Sequence, residues 1–315
     1  MRRYLQLATH VNLELKERKK GESGLSLPPM SIAVFGPPGS GKSFGVKEIA
    51  KSIRTELELD FVEINLAQIS SPHSLITELS NKIRYRRISY NQNTGLPEME
   101  DKLDKLPFIF FDEFDCQSDV YLGWLKVFLG PMSDGSFSGP EFSMDMSRSI
   151  FAFAGGTKQT YADFARISTS VSDQDRLAFE TAKGPDFVSR LRGFINIKGI
   201  NRASPSDDVY ILRRAIMLRS YLEKNRLADP LSGVAKIDGS VVYAMLKTAS
   251  YKHGARSMDA LVAMCIPILD RIEKASLPLP ALMNMHVDSV DIHNLIEDYQ
   301  SHHTDPPSTF NYHTS

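Results

Sequence analysis

Gly36-Pro37-Pro38-Gly39-Ser40-Gly41-Lys42-Ser43 places three glycines, a lysine and a hydroxyl in the pattern G-x-x-x-x-G-K-[ST]. That combination suits the binding of a polyphosphate. The glycines let successive N–H groups curl around the anion, and the N-terminus of the helix that follows adds the positive end of its dipole. Lys42 then reaches the β- and γ-phosphates, and the Ser43 hydroxyl binds Mg²⁺. The contacting residues run from Gly36, Pro37, Pro38, Gly39, Ser40 and Gly41 through Lys42 and Ser43 to Phe44. The plainer reading, a glycine-rich turn from strand to helix, leaves the lysine and its spacing without a use.

A second group is Phe108-Ile109-Phe110-Phe111-Asp112-Glu113-Phe114. Four apolar residues make a buried strand, and the two acids emerge at its C-terminal end, where open α/β sheets bind ligands. Asp112 suits a Mg²⁺ shell, and Glu113 suits polarising an attacking water. A solvated turn would also carry two acids, but not one coupled to a phosphate-binding loop. Other polar groups say less. Arg84, Arg86 and Arg87 with Tyr85 and Tyr90 form a basic, aromatic-interleaved run that could stack on nucleic acid; the same run also reads as a solvated helix end. The eight histidines show no ligand spacing, and Cys116 reads as a small packing residue.

The elements that must hold these groups follow from hydrophobic period and turn residues. Strands are expected at Ser31–Phe35, Phe61–Leu66, Pro107–Phe111, Ser149–Ala154 and Phe194–Ile197. Helices are expected over Gly41–Leu57 and His73–Arg84, and through Tyr121, Trp124, Leu125, Phe128 and Leu129. A hairpin is expected in Asp134–Arg148, and Ile88–Lys105 reads as polar, with Asn91–Gly95 an exposed loop. From 205 onward the pattern is helical, over Val209–Lys224, Val241–Ser250 and Met258–Leu269, and the end from Gln300 reads as loose. Alternating strands and helices predict a parallel sheet covered on both faces. The 315 residues carry 37 basic and 38 acidic side chains and a net charge of −1, which gives no global drive toward nucleic acid or an anionic membrane. Two cysteines, no long apolar run and no leader-like start set cytoplasmic location and no membrane partner as expectations.

Loop and acid pair, with three later stretches in order, resemble an AAA+ ATPase, and most closely the Clp and Lon branch with its extra hairpin. The resemblance lies in Leu129–Phe137 with Asp145–Phe153, in Gly184-Pro185-Asp186-Phe187-Val188-Ser189-Arg190-Leu191-Arg192, and in Gly254-Ala255-Arg256. It implies a P-loop NTPase α/β core with a parallel five-stranded sheet and a small all-helical lid. The divisions are an N-terminal helix and linker over 1–27, the nucleotide-binding domain over 28–204, the lid over 205–298 and a flexible tail over 299–315. It further implies ATP and Mg as cofactors, and self-association in a ring such as a hexamer, with an unidentified protein or nucleic-acid partner. Arg190 would be the arginine finger given to a neighbouring subunit, and Arg256 the lid arginine that reads the γ-phosphate. The catalytic set becomes Lys42, Glu113, Thr157, Arg190 and Arg256, with Ser43 and Asp112 on the metal. Two departures stand out. Thr157 is the nearest polar residue where the family has a water-positioning asparagine, and no aromatic-glycine pore loop appears between Ile64 and Leu75. A remodelling motor and a slow nucleotide-operated switch or assembly scaffold therefore both stay open.

Overall fold

The computed structural model describes residues 28–52, 58–84, 88–90, 97–99, 105–117, 120–139, 142–147, 149–166, 171–229, 231–265 and 271–303. The expected helix and linker over 1–27, the end of the tail, and Tyr85, Arg86 and Arg87 of the basic run lie outside them. The described chain divides into two units. One runs up to Pro37 and from Lys42 to Ile197; the other joins Pro38–Gly41 to the residues from Lys198 onward.

In the first unit, strands that must be covered on both faces read as continuous apolar runs. Successive side chains point to opposite faces, so β1 (Met30–Phe35) sends Ala33 and Phe35 into one core and Ile32 and Val34 into another. β5 (Lys105–Asp112) and β8 (Ile150–Ala154) divide in the same way, Phe111, Phe151 and Phe153 against Phe108, Phe110 and Ala152. With β2 (Glu58–Asn65) and β9 (Gly193–Asn196) they form a five-stranded parallel sheet in the order β2-β5-β8-β1-β9. Register pairs Ala154 with Val34 on one side and Asp112 on the other. The chain leaving β1, β5 and β8 therefore emerges at one edge.

Helix α1 (Lys42–Ser52) follows β1, and α2 (Pro72–Arg84) follows β2. After β5 come α3 (Trp124–Asp134) and the antiparallel pair β6 (Ser136–Gly139) and β7 (Phe142–Asp145), with Gly135 capping α3 at φ 73°. α4 (Tyr161–Phe164), α5 (Asp173–Thr181) and α6 (Gly184–Arg190) lie between β8 and β9. The stretch read as polar contains a further short ladder, β3 (Ile88–Tyr90) against β4 (Pro97–Met99), and the expected loop Asn91–Gly95 lies outside the described residues. Ile88 and Tyr90 suit a strand, and Pro97 takes the first position of its strand, where proline is tolerated.

The second unit is helical: α7 (Tyr210–Lys224), α8 (Gly239–Lys247), α9 (Ala255–Met264), α10 (Pro280–Met283) and α11 (Ser289–His302). It begins somewhat ahead of the expected boundary at 204, because Ile200 is part of this core and the Asn201 side-chain amide donates to Tyr251 O at 2.8 Å. Arg214 is fully buried at its centre. Its guanidinium donates to Ile200 O (2.9 Å), Leu246 O (2.9 Å) and Thr248 O (2.6 Å) between the rings of Tyr210 and Tyr251. The end expected to be loose from Gln300 remains helical to His302: Asp288 caps α11, and the Tyr299 ring stacks on His303 at 4.2 Å. Among the described residues no helix is long and apolar enough to cross a membrane.

Candidate active site

Gly39 and Gly41 have φ of 70° and 79°, in the left-handed region where a side chain is strained. This is the local reason for glycine at both positions of the loop. Lys42 Nζ donates to Gly36 O at 2.9 Å and Pro37 O at 3.4 Å, so the ammonium lies folded over its own loop. The Ser40 hydroxyl is buried with no hydrogen-bond partner, a polar atom left for an incoming acceptor or donor. Phe44 is exposed on the first turn of α1. Gly39 O accepts from Ala255 N at 2.8 Å, which explains why residues 38–41 group with the second unit.

Sheet register carries the chemistry from loop to acids. Ser43 Oγ donates to Asp112 Oδ2 at 3.3 Å although the two residues are 69 positions apart. A hydroxyl and a carboxylate converging in this way fit Mg²⁺, which takes hard oxygens and is held by one or two carboxylates with phosphates and waters. Glu113 follows at φ 56°, an uncommon conformation for a residue with a side chain, with its N–H donating to Asp112 Oδ1 at 3.1 Å. Glu113 lies directly over Gly156: a Cβ at Gly156 would fall 1.6 Å from Glu113 Oε2. Only glycine leaves room for the carboxylate there.

Thr157 is exposed, and its Oγ1 donates to Asp115 Oδ2 at 2.6 Å. Asp115 is 3% exposed and was not singled out from the sequence. Its signal was the third acid of Asp112-Glu113-Phe114-Asp115, hidden because the pair at the strand end accounted for the pattern. Cys116 is half-buried; burial, then the carboxylates of Asp115 and Glu113, push its thiol up, which leaves it protonated and suited to packing.

The two arginines stand differently. Arg190 ends α6 half-buried, with Nε donating to Ser133 Oγ at 2.7 Å and Nη1 to Asp186 O at 2.6 Å. Neither partner belongs to the loop or the acid pair. Arg256 is exposed on the first turn of α9, in the second unit. The geometry thus gathers Lys42, Ser43, Asp112, Glu113 and Thr157 at one edge of the first unit, and holds Arg190 on α3 and α6 of the same chain. After β2, where a pore loop was not found in the sequence, the chain makes a 3-10 turn at Leu66–Gln68.

Residues 32–119 match the family described as "ATPase family associated with various cellular activities (AAA)". Origin recognition complex subunit 1 of Dictyostelium discoideum is 30% identical over 129 residues, covering 35% of this chain and 19% of that protein. A solved structure, "Closed State CryoEM Reconstruction of Hsp104:ATPyS and FITC casein", is similar at 14% identity and a TM-score of 0.43, over 82% of this chain and 43% of that one. The chain spans well under two thirds of either relative's length.

Proposed function

On the premise that this chain carries an AAA-family domain within residues 32–119, we propose that it binds ATP with Mg²⁺ and hydrolyses the γ-phosphate. The observation that carries this reading is the meeting of Ser43 and Asp112 at 3.3 Å, with Glu113 next in sequence and resting on Gly156. Bound Mg²⁺ would neutralise charge on the β- and γ-phosphates, held by Ser43 and Asp112. Lys42 exchanges the Gly36 and Pro37 carbonyls for phosphate oxygens. Glu113 accepts a hydrogen bond from the attacking water and draws its proton, and Thr157 orients the same water. Arg190, released from Ser133 and Asp186, supplies positive charge to a neighbouring subunit's site, and Arg256 reads the nucleotide from the lid.

The reading extends to a self-associating ring in the cytoplasm acting on a protein or nucleic-acid partner. A switch or assembly scaffold with slow hydrolysis is the second reading. It is favoured by the serine-bearing turn after β2, where Ser70 and Ser71 sit within 3.2 Å and 2.9 Å of Ser74, in place of an aromatic grip. Phosphate release is measured with Mg²⁺, alone and with DNA, RNA or unfolded protein, beside molecular size. Turnover that needs Mg²⁺, is lost in Glu113→Gln by about 10²-fold or more and persists at low level without partner supports hydrolysis. Strong stimulation selects the motor, and none the switch. Equal turnover by Glu113→Gln overturns the assignment of the base.

A further inference from the structure

Asp115 lies two residues beyond Glu113, in the turn after β5, and is 3% exposed. A carboxylate removed from water is costly unless donors replace the water. Here four do, from three consecutive residues after β8. Oδ1 accepts from Gly156 N at 2.6 Å; Oδ2 accepts from Thr157 N at 3.0 Å, Thr157 Oγ1 at 2.6 Å and Lys158 N at 3.3 Å. Successive backbone N–H groups closing on one anion make a nest, and the anion is part of the chain itself. The loop after β8 is therefore gathered on the turn after β5.

Two consequences reach the reacting groups. Gly156 is the residue against which the Glu113 carboxylate rests, so whatever fixes Gly156 fixes the distance Glu113 can take up. The Thr157 hydroxyl proton is already committed to Asp115, so the hydroxyl presents its lone pairs outward as an acceptor for a water O–H. We propose that Asp115 is a positioning residue for hydrolysis: acting through Gly156 and Thr157, it sets the place of the Glu113 carboxylate and makes Thr157 a hydrogen-bond acceptor for the attacking water. The inference rests on the hydrolytic reading of the site. Asp115 touches neither nucleotide nor metal in this role. Nucleotide affinity is carried by the loop and Lys42, so the effect falls on turnover.

The test uses the full chain and four variants, Asp115→Asn, Thr157→Val, Thr157→Ser and Asp115→Asn with Thr157→Val. Amide exchange at 156–158 without nucleotide, affinity for a non-hydrolysable ATP analogue and kcat are read for each. Asp115→Asn should exchange at least about tenfold faster at 156–158, keep affinity within about threefold and lose about 10²-fold in kcat, the scale of a misplaced catalytic group. Thr157→Val should lose kcat similarly, Thr157→Ser should restore most of it, and the double variant should fall no lower than the worse single one. Parental exchange in Asp115→Asn overturns the holding role, whether or not the parent hydrolyses ATP. Parental kcat in Asp115→Asn overturns the positioning role, and losses that multiply in the double variant overturn action through Thr157. A parent without turnover overturns the hydrolytic reading and with it the role in hydrolysis, and the exchange result then separates that failure from a failure of the Asp115 nest.

Discussion

Replacing Gly156 by alanine adds one methyl group at the point where two chain segments meet under the candidate base. The added Cβ would stand 1.6 Å from Glu113 Oε2 and 2.5 Å from its Cδ, where ordinary contact starts at 3.4 Å. The carboxylate must therefore retreat by roughly 2 Å, since atoms at van der Waals contact resist closer approach steeply. Glu113 ends in a flexible, half-exposed side chain, and Gly156 has no left-handed backbone, so the fold absorbs the change at below about 1 kcal/mol. The reaction does not absorb it. A displacement of about 1 Å in a positioned group can cost on the order of 10²-fold, so kcat should fall by at least that, or about 2.7 kcal/mol of barrier. Lys42, Ser43 and Asp112 are untouched, so nucleotide affinity should hold within about threefold of the parent. Steady-state phosphate release, titration with a fluorescent nucleotide and thermal melting separate the three effects. Parental kcat in a folded Gly156→Ala protein would refute the placement of Glu113 over Gly156 as the catalytic arrangement. Lost affinity with intact melting would refute the separation of binding from chemistry.

Glu113→Gln and Arg190→Ala chains should each be inactive alone yet regain activity when mixed, because some interfaces then hold an intact base and an intact finger; no recovery in demonstrably mixed assemblies refutes donation in trans. Lys42→Ala should weaken ATP binding itself by removing a charge partner of the phosphates, and unchanged affinity in a direct titration would sink the phosphate-loop assignment. Arg214→Met should destabilise the second unit by about 3–5 kcal/mol in urea denaturation, because it orphans the buried carbonyls of Ile200, Leu246 and Thr248; a loss below about 1 kcal/mol would show them satisfied otherwise. Asp207 is held well below the usual carboxylate range by the hydrogen bond from Arg213 and by Ala203 N. A depressed folded pKa stabilises above the unfolded value, about 3.9, and that stability drains as pH falls toward the folded value. Asp207→Asn should thus melt lower than the parent at pH 7, and the gap should narrow below about pH 4; a gap independent of pH refutes the charge pair as its source.

Residue types and spacing alone specified the loop from Gly36 to Ser43, the acid pair at the end of an apolar strand, and the alternation that makes a two-faced parallel sheet. Each is a local property: left-handed backbone at Gly39 and Gly41 needs glycine, and continuous apolar runs need cover on both faces. A polar stretch concealed β3 and β4, whose three-residue strands are too short to display a period. Order within the sheet, and with it the approach of Ser43 to Asp112, came only from the tertiary structure, because parallel strands pair across long connections. The same holds for Asp115. Its partners lie 41 to 43 positions away, and nothing in the run Asp112-Glu113-Phe114-Asp115 tells a buried, four-fold satisfied carboxylate from a solvated one. Arg190, which resemblance assigned to a neighbour, is held on Ser133, 57 positions away, and Arg214 sits fully buried within a helix whose face reads as ordinary. Backbone freedom and burial period are written residue by residue. The satisfaction of buried polar groups is an account that closes only across the whole fold.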